Sequence, residues 1–214
     1  MTQLTIHEIF TSIQGETTET GRPCTFVRLT ACDLRCRWCD TPHAFTEGEK
    51  RSLDEILADV ASRGIRFVTV TGGEPLLQAG CIDLVRALLD AGHEVQVETG
   101  GHRDVTVLDR RARVILDLKA PDSGESAQMR WENVAALLPH DQVKIVLASR
   151  ADYEWARDVI RERLGSVIGP VLLQPAAGIL APAELAEWIL ADRLAVRLTL
   201  QLHKILWPGK VRGA

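Results

Sequence analysis

The chain has 214 residues, of which 46% are hydrophobic, and carries a net charge of −4. This length suits one domain over residues 1–214, with enough apolar content for a substantial core. The slightly acidic balance excludes a general basic field for nucleic acid or anionic membranes. The first ten residues contain no apolar signal segment, so we expect a cytoplasmic protein that binds neither nucleic acid nor membrane.

Predicted strands and helices alternate along the chain. The strands are predicted at 25–31, 66–73, 94–101, 112–121, 142–149, 171–176 and 196–204, and the helices at 52–64, 81–92, 126–138, 152–165 and 181–192. Short strands that are apolar on both faces and alternate with helices are typical of a parallel sheet. Six or so such units are too few for an eight-stranded barrel. The sequence therefore predicts an α/β fold, an incomplete (β/α)6-type TIM barrel with mostly parallel strands.

Polar or unusual residues follow seven of the predicted strands. They are Cys32; Thr71, Gly72, Gly73 and Glu74; Glu98, Thr99 and Gly100; Asp117, Leu118 and Lys119; Ser149 and Arg150; Gln174 and Pro175; and His203. Any one of them could serve as an ordinary cap or turn residue. Chemistry in such barrels gathers at the carboxyl ends of the strands, so the repeated pattern predicts a site at that rim.

Three of the five cysteines lie within the stretch "CDLRCRWCD", at Cys32, Cys36 and Cys39. Clustered cysteines in a cytosolic protein favour metal binding or redox chemistry over disulfides. The C-x3-C-x2-C spacing suits an iron–sulfur cluster with three irons held by the protein and one left open. A structural zinc site completed by Cys24 or His43 is the main alternative, and uncoordinated thiols are a third.

These motifs together resemble the radical S-adenosylmethionine enzymes. The shared features are the three-cysteine loop with Trp38 inside it and the sequence Gly72-Gly73-Glu74-Pro75. The similarity is greatest to the branch that builds the deazapurine core of queuosine. Similar stretches lie at 8–17, 26–41, 70–78, 97–101, 117–121, 129–133, 142–156 and 201–207. They span almost the whole chain and keep their order.

The resemblance implies two cofactors and a metal ion. Cys32, Cys36 and Cys39 would hold a 4Fe–4S cluster whose open iron takes the amino and carboxylate groups of S-adenosylmethionine. Thr41 matches a Mg2+ ligand, and the substrate carboxylate would complete the shell of that ion. The rest of S-adenosylmethionine would contact Gly72, Gly73, Glu74, Glu98, the turn Asp117, Leu118 and Lys119, and the turn Gln174, Pro175, Ala176 and Ala177.

The resemblance also implies a lyase reaction on a small-molecule pterin. In that reaction 6-carboxy-5,6,7,8-tetrahydropterin undergoes ring contraction and loses ammonia to give 7-carboxy-7-deazaguanine. The matching substrate-binding positions are Ile13, Gln14, Gly15, Glu16, Arg28, Thr71 and His203. An electron donor such as flavodoxin or ferredoxin and a homodimeric assembly are further expectations.

Two alternative functions stay open at this point: an activase that places a radical on a partner protein, and a non-catalytic zinc-binding module. Several residues also have ordinary structural interpretations. Arg28 could pair with a neighbouring acid, His203 could be a core histidine, and Thr41 could begin a turn before Pro42. Cys24 and Cys81 are expected to be buried thiols, and Trp131, Trp155 and Trp188 to be packing residues.

Two departures from the branch pattern are visible. Thr17 follows Glu16 where a glycine is common. The C-terminal residues 207–214, "WPGKVRGA", extend beyond the last shared motif. Some relatives end earlier and bind substrate with their terminal carboxylate, so that contact is not expected here.

Overall fold

The sheet contains nine strands within the part of the chain that the structure, a computed structural model, describes: residues 2–165 and 169–213. The strands are β1 (Gln3–Ile13), β2 (Pro23–Leu29), β3 (Glu49–Ser52), β4 (Phe67–Gly72), β5 (Glu94–Thr99), β6 (Arg113–Lys119), β7 (Gln142–Leu147), β8 (Val171–Pro175) and β9 (Arg197–Leu198). Their order is β3-β1-β2-β4-β5-β6-β7-β8-β9. The sheet is open, with β3 and β9 at its edges.

The helices connect these strands. They are α1 (Leu53–Ser62), α2 (Gly80–Asp90), α3 (Glu132–Ala136), α4 (Arg150–Glu162), α5 (Pro182–Asp192) and α6 (Leu202–Leu206). Strands β2 and β4 to β9 run parallel, whereas β1 is antiparallel to both β2 and β3. The predicted α/β class, an incomplete barrel with mostly parallel strands, is confirmed. Among the described residues, no helix is both long and apolar enough to cross a membrane.

Local sequence signals explain the best-predicted elements. Ser52 Oγ accepts a hydrogen bond from the Glu55 amide, and the Glu55 carboxylate accepts one from the Ser52 amide, so the capping box begins α1. The central strands are buried on both faces, as the consecutive residues Val68, Thr69 and Val70 of β4 illustrate with no exposed surface. Burial on both faces is why these strands read as continuous apolar runs.

The predicted helix over 126–138 is wrong as a continuous element. The structure has a short 3-10 helix (Ser126–Gln128) and the five-residue α3, with extended backbone at Met129 between them. At the break the Arg130 amide donates to the carbonyl oxygen of Gly101, and the Asn133 side-chain amide donates to the carbonyl oxygens of Gly101 and Arg103. Contacts to the loop after β5 therefore override the helical propensity of this segment.

The predicted strand over 196–204 is also wrong for most of its length. Only the two residues of β9 pair with β8, and Leu202–Leu206 forms α6. The Leu202 amide donates to Gly15 O at 3.2 Å, just beyond the end of β1. This contact joins the start of α6 to the end of β1. His203 therefore lies on a helix rather than at a strand end.

The N-terminal strand β1 is an element that the sequence analysis missed. Between Ile6 and Glu8 the pairing with β2 shifts by one residue, a β-bulge. Before the bulge Ile6 packs in the main core; after it Ile9 packs there and Phe10 joins a separate cluster. The bulge interrupts the strict alternation that marks a strand.

Candidate active site

A cavity of about 590 Å³ opens where the parallel strands end. Residues of β1, β2 and β4 to β8 line it, together with the cysteine loop (residues 30–41) and α6. Twenty of the predicted site residues line it: Ile13, Gln14, Gly15, Glu16, Arg28, Cys32, Cys36, Cys39, Thr41, Thr71, Gly72, Gly73, Glu74, Glu98, Asp117, Lys119, Gln174, Ala176, Ala177 and His203. The rim that the sequence predicted is therefore one continuous cavity.

A few predicted residues do not line this cavity. Asp117 and Lys119 face it from within β6, so the intervening Leu118 points the opposite way and is fully buried in the core. Pro175 likewise does not line the cavity, although Gln174 and Ala176 on either side of it do. Successive side chains of a strand alternate between faces. Asp117 to Lys119 belong to β6 and Gln174 and Pro175 to β8, so the prediction of turns there was wrong, whereas Ala176 and Ala177 do follow the strand. Ser149 instead caps α4, where its Oγ accepts from the Asp152 amide.

The cysteine loop begins with an unusual backbone conformation and a close approach to β4. Ala31 has a φ of 78°, in the left-handed region that costs a non-glycine residue about 1 kcal/mol. Its carbonyl oxygen accepts a hydrogen bond from the Glu74 amide at 2.8 Å. A side chain at Gly73 would collide with Ala31 and Cys32, and one at Gly72 with Leu29. The two glycines therefore allow the loop to lie directly on the end of β4.

The three thiols of the loop face the cavity and are half-buried. Two sets of three potential ligand atoms lie within 4.8 Å of one another among the described residues, and the thiols form neither set. Sulfurs around one zinc ion, each about 2.3 Å from the metal, would lie about 4 Å apart. At least one pair of the three sulfurs therefore lies farther apart than the ligands of a single zinc ion, as sulfurs on different irons of a cluster would. Burial raises the pKa of Cys32 to about 11, so metal binding at neutral pH would displace a proton from this thiol.

Glu74, the acid of the glycine-rich turn, is fully buried. Its carboxylate accepts hydrogen bonds from the Leu76 amide, from Thr99 Oγ1 and from the Gly100 amide at 2.8 to 3.0 Å. These three donors use most of the acceptor positions of a carboxylate, which number about four. Glu74 therefore joins the ends of β4 and β5 beneath the cysteine loop.

Charged side chains of the cavity lining form a network. Lys144 Nζ lies 2.7 Å from Glu16 Oε2 and 3.1 Å from Asp117 Oδ2. Lys119 Nζ also lies 3.1 Å from Asp117 Oδ2. The second oxygen of Asp117, Oδ1, is buried without a hydrogen-bond partner. This oxygen is available to a bound ligand, because buried acceptors are rarely left unpaired.

Burial and charge act against each other in this network. Burial favours neutral Glu16, but the charge of Lys144 together with hydrogen bonds from Lys144 and Gln201 outweighs it, and the pKa of Glu16 is lowered. Burial raises the pKa of Glu98, and Lys144 only partly offsets that effect. Burial also opposes the charge on Lys144, yet Asp117, Glu16 and Glu98 together raise its pKa well above the ordinary value. Lys144 is therefore a permanent cation among acids.

Asp40 and Thr41 follow the last cysteine and meet residues from both chain ends. Thr41 Oγ1 donates to Asp40 Oδ1 at 2.9 Å, and Gln201 Nε2 donates to both Asp40 Oδ2 and Glu16 Oε1. Ligand atoms of Glu16, Asp40 and His203 lie within 4.8 Å of one another. Desolvation raises the pKa of Asp40, but nearby cations and hydrogen bonds lower it to about 2. Burial lowers the pKa of His203, so that its imidazole is neutral near pH 7.

The sequence left two roles open for Arg28, substrate binding and pairing with a neighbouring acid, and the position of Arg28 is compatible with both. It lines the cavity, and its Nε donates to Glu8 Oε1 at 2.9 Å. Its guanidinium carbon lies 5.6 Å from the centre of the Phe10 ring. One face of the guanidinium is thus held by β1, which leaves its remaining donors for the cavity.

Several lining residues were missed by the sequence analysis. They are Asp40, Lys144, Gln201, Lys204 and residues 207–211. Lys144 had a signal, since a lone lysine interrupts the apolar strand "QVKIVL". The C-terminal segment had none, because its contacts depend on the path of α6. Ala214, the last residue of the predicted extension, lies outside the described residues.

The remaining cysteines and tryptophans are structural. Cys24 and Cys81 are fully buried, and burial raises the pKa of each to about 12. Cys24 packs with Phe10, Phe26 and Phe67, away from the cysteine loop, so it does not complete a zinc site there. The other proposed zinc ligand, His43, instead lies against His7, with ring centres 4.9 Å apart and ring planes tilted by 45°. The predicted packing roles hold for the tryptophans, which pack against the core: Trp131, Trp155 and Trp188.

Comparison with known proteins agrees with this geometry. The family model of the radical SAM superfamily matches residues 27–123, which include the cysteine loop. The crystal structure of QueE from Escherichia coli has a TM-score of 0.76 over 93% of this chain and 94% of that chain, at 24% identity. Streptococcus suis SuiB bound to S-adenosylmethionine has a TM-score of 0.57 over 80% of this chain and 45% of that chain, at 14% identity. Fold and site thus define a radical SAM protein.

Curated relatives of the chain identify its family within the radical SAM superfamily. The 7-carboxy-7-deazaguanine synthase of Koribacter versatilis is 44% identical over 97% of this chain and 99% of the relative. That of Chlorobaculum tepidum is also 44% identical, over 98% of this chain and 97% of the relative. The chain belongs to the 7-carboxy-7-deazaguanine synthase family, whose members are radical SAM lyases of queuosine biosynthesis. As a member it uses a 4Fe–4S cluster, S-adenosylmethionine, a reductant and a small-molecule substrate.

Proposed function

We propose that this chain converts 6-carboxy-5,6,7,8-tetrahydropterin to 7-carboxy-7-deazaguanine with loss of ammonia, within the 590 Å³ cavity. The observation that carries the proposal is the composition of that cavity. Its lining combines three thiols with charged and amide side chains, which include the Glu16–Lys144 pair. A polar heterocycle with a carboxylate matches these charged and amide groups.

The cofactor end of the cavity is assigned to the cysteine loop. Cys32, Cys36 and Cys39 would hold the cluster, because their thiols face the cavity at a separation too wide for one zinc ion. When bound, the cluster and S-adenosylmethionine would supply, through reductive cleavage of S-adenosylmethionine, the radical that removes a hydrogen atom from the substrate. The close packing at Gly72 and Gly73 leaves backbone groups at the cavity surface for that cofactor.

The middle of the cavity is assigned to the remainder of S-adenosylmethionine. Asp117 Oδ1 has no partner and suits a hydroxyl or ammonium donor. Glu98 is held by hydrogen bonds from Thr71 Oγ1 and Gln14 Nε2, which orient its carboxylate toward the cavity. Glu74 would act chiefly by fixing Thr99 and Gly100, since these already occupy its oxygens. Gln174, Ala176 and Ala177 complete this part of the lining.

The substrate end is assigned to the charged and amide side chains of the lining. Arg28 would bind the substrate carboxylate or an edge of the pterin through donors that Glu8 leaves free. Glu16 would accept from ring nitrogens of the pterin, since Lys144 keeps its carboxyl ionised. Gln14 Oε1 accepts from the amides of Gly15 and Glu16 and thereby shapes the turn. Neutral His203 would offer a hydrogen bond without adding charge.

The Mg2+ ion is assigned to Thr41. Mg2+ prefers oxygen ligands in octahedral geometry and retains water, so one hydroxyl and a substrate carboxylate suit it. Asp40 and Glu16 supply further oxygens near Thr41, and the pKa of Asp40, about 2, keeps that group ionised. A homodimer, flavodoxin or ferredoxin as electron donor, and a cytoplasmic location remain predictions.

The decisive experiment is product formation by anaerobically reconstituted protein. We expect mass spectrometry to detect 7-carboxy-7-deazaguanine when carboxytetrahydropterin, S-adenosylmethionine, Mg2+ and a reductant are supplied. The matched control is the Cys36→Ala variant, which should form no product. Cleavage of S-adenosylmethionine by the wild type without any conversion of this pterin would refute the substrate assignment and leave the family intact.

A further inference from the structure

A second group of potential metal ligands lies outside the active-site cavity, on β1 and the short 3-10 helix Pro42–Phe45. It consists of His7, Glu8 and His43, whose ligand atoms lie within 4.8 Å of one another. His7 and Glu8 are adjacent in a strand, so regular pleating would point them to opposite faces. The β-bulge between Ile6 and Glu8 removes that restriction, because the extra residue of a bulge re-aims its side chain.

The hydrogen bond of His7 selects the tautomer that a metal requires. Its Nδ1 lies 3.0 Å from the carbonyl oxygen of Glu47, which can only accept, so Nδ1 carries the proton. The lone pair is then on Nε2. Histidines that bind metal ions usually donate their other ring N–H to a carbonyl or carboxylate in this way.

Two ring nitrogens of the group have no hydrogen-bond partner. His7 Nε2 and His43 Nε2 are both buried and without a hydrogen-bond partner. Buried polar atoms are nearly always paired, so two unpaired nitrogens near one carboxylate call for a shared ligand. Glu8 holds Arg28 Nε through Oε1 and the Gly213 amide through Oε2, and each oxygen retains a second acceptor position.

We propose that His7, Glu8 and His43 bind one divalent transition-metal ion, represented by Zn2+, at a site separate from the cluster and from Thr41. Two imidazoles with one carboxylate are the ligands of zinc and of related borderline metals, whereas Mg2+ prefers oxygen alone. A second cavity of about 390 Å³ borders His7 and Glu8. Four carboxylates and two guanidinium groups line it: Glu8, Glu47, Glu49, Asp59, Arg51 and Arg212.

The site connects parts of the chain that are distant in sequence. Glu8 also orients Arg28, which lines the active-site cavity, and accepts from Gly213 of the C-terminal segment. Arg212 pairs with Glu47, whose carbonyl sets the tautomer of His7. A bound ion would therefore fasten β1 to the segment after the cysteine loop, immediately behind the substrate wall.

The test uses the reconstituted holoenzyme with its cluster intact, so that the cysteines are not free to bind zinc. After a chelator removes loosely held metal, equilibrium dialysis against Zn2+ should give about one zinc per wild-type chain. His7→Ala and His43→Ala should each weaken zinc binding at least about tenfold, as loss of a ligand implies. Zinc-edge X-ray absorption should show imidazole nitrogen and oxygen, without sulfur.

Two histidine variants serve as controls. His93→Ala removes an imidazole whose Nδ1 contacts Arg66 O far from this group, and His203→Ala removes the one in the active site. Both should keep wild-type zinc affinity. Iron content establishes that each variant is folded. If His7→Ala fails to fold, His43→Ala still tests the proposal, because His43 lies outside the sheet. Retention of zinc in His43→Ala, loss in His203→Ala, or sulfur at about 2.3 Å would overturn the proposal.

Discussion

The two walls of the active-site cavity are built in different ways. The cluster wall comprises the cysteine loop with the ends of β4 and β5, and backbone hydrogen bonds hold it together, such as Glu74 N to Ala31 O. The substrate wall comprises residues 14–16, Arg28, Lys144 and residues 201–204, and charged side chains hold it together. The first wall depends on close backbone packing between neighbouring strand ends, and the second depends on pairing of charged side chains, up to 128 positions apart for Lys144 and Glu16.

This difference predicts how each wall responds to substitution. No other side chain can replace a thiol ligand in the cluster wall, so substitution of one cysteine should abolish cluster binding completely. A charge in the substrate wall belongs to a network in which other groups can partly compensate, as Lys119 does for Lys144 beside Asp117. Effects there should be graded, and a second substitution should relieve some of them.

The largest effect is expected in the cluster wall. Cys32→Ala, Cys36→Ala and Cys39→Ala should each reduce iron from about four per chain to background and remove absorption near ~400 nm, because thiolates hold the cluster. Iron analysis and the visible spectrum measure this. Cys81→Ala is the control, since that thiol is buried in the core. A colourless wild type with one tightly held zinc would contradict the cluster assignment.

The next effect tests the charge network. Lys144→Met leaves Asp117 paired with Lys119, but leaves buried Glu16 with a hydrogen bond from Gln201 and no cation. Breaking a buried ion pair from one side costs about 3–5 kcal/mol, so the thermal midpoint should fall by several degrees. The double variant Lys144→Met/Glu16→Gln should recover part of that loss. If the double variant is less stable than Lys144→Met alone, the Glu16–Lys144 pair is not the source of the penalty.

The cluster wall was predictable because its signals are short. The cysteine spacing, the paired glycines and each polar strand end span only a few residues, and the parallel sheet brings the ends together. The errors at Leu118 and Pro175 came from reading strand residues as turns. Alternation along β6 and β8 would have assigned both side chains to the opposite face.

The substrate wall was predictable only where the resemblance extended to it. Lys144 and Glu16 are 128 positions apart, and no local pattern joins them. The bulge at His7 changes which residues of β1 face the core, so the sequence of β1 lacks the regular alternation by which a strand is recognised. The path of residues 199–206 depends on a backbone contact between Leu202 and Gly15, which propensity does not encode.

A smaller effect is expected at Arg28, within the substrate wall. Loss of one partner of a desolvated charge pair costs about 2–5 kcal/mol, so Arg28→Ala should lower kcat/KM about 30-fold or more. The cluster spectrum and the slow cleavage of S-adenosylmethionine without pterin should persist. Arg51→Ala is the matched control, because Arg51 pairs with Asp59 at 2.8 Å outside this cavity. Equal losses in both variants would mean that Arg28 acts only by stabilising β1.

The smallest effect is expected where the two walls meet, at Thr41. Thr41→Ala should keep the cluster and lower the rate about tenfold, equivalent to about 1.4 kcal/mol, with only partial rescue by added Mg2+. Thr41→Ser keeps the oxygen ligand and should retain most of the rate. Asp40 and Glu16 remain in both variants, joined through Gln201, so some affinity for the ion should survive. Rates measured across a Mg2+ titration separate the possibilities. If the alanine variant matches the wild type at every concentration, the hydroxyl of Thr41 serves only to cap Asp40 and begin the turn at Pro42.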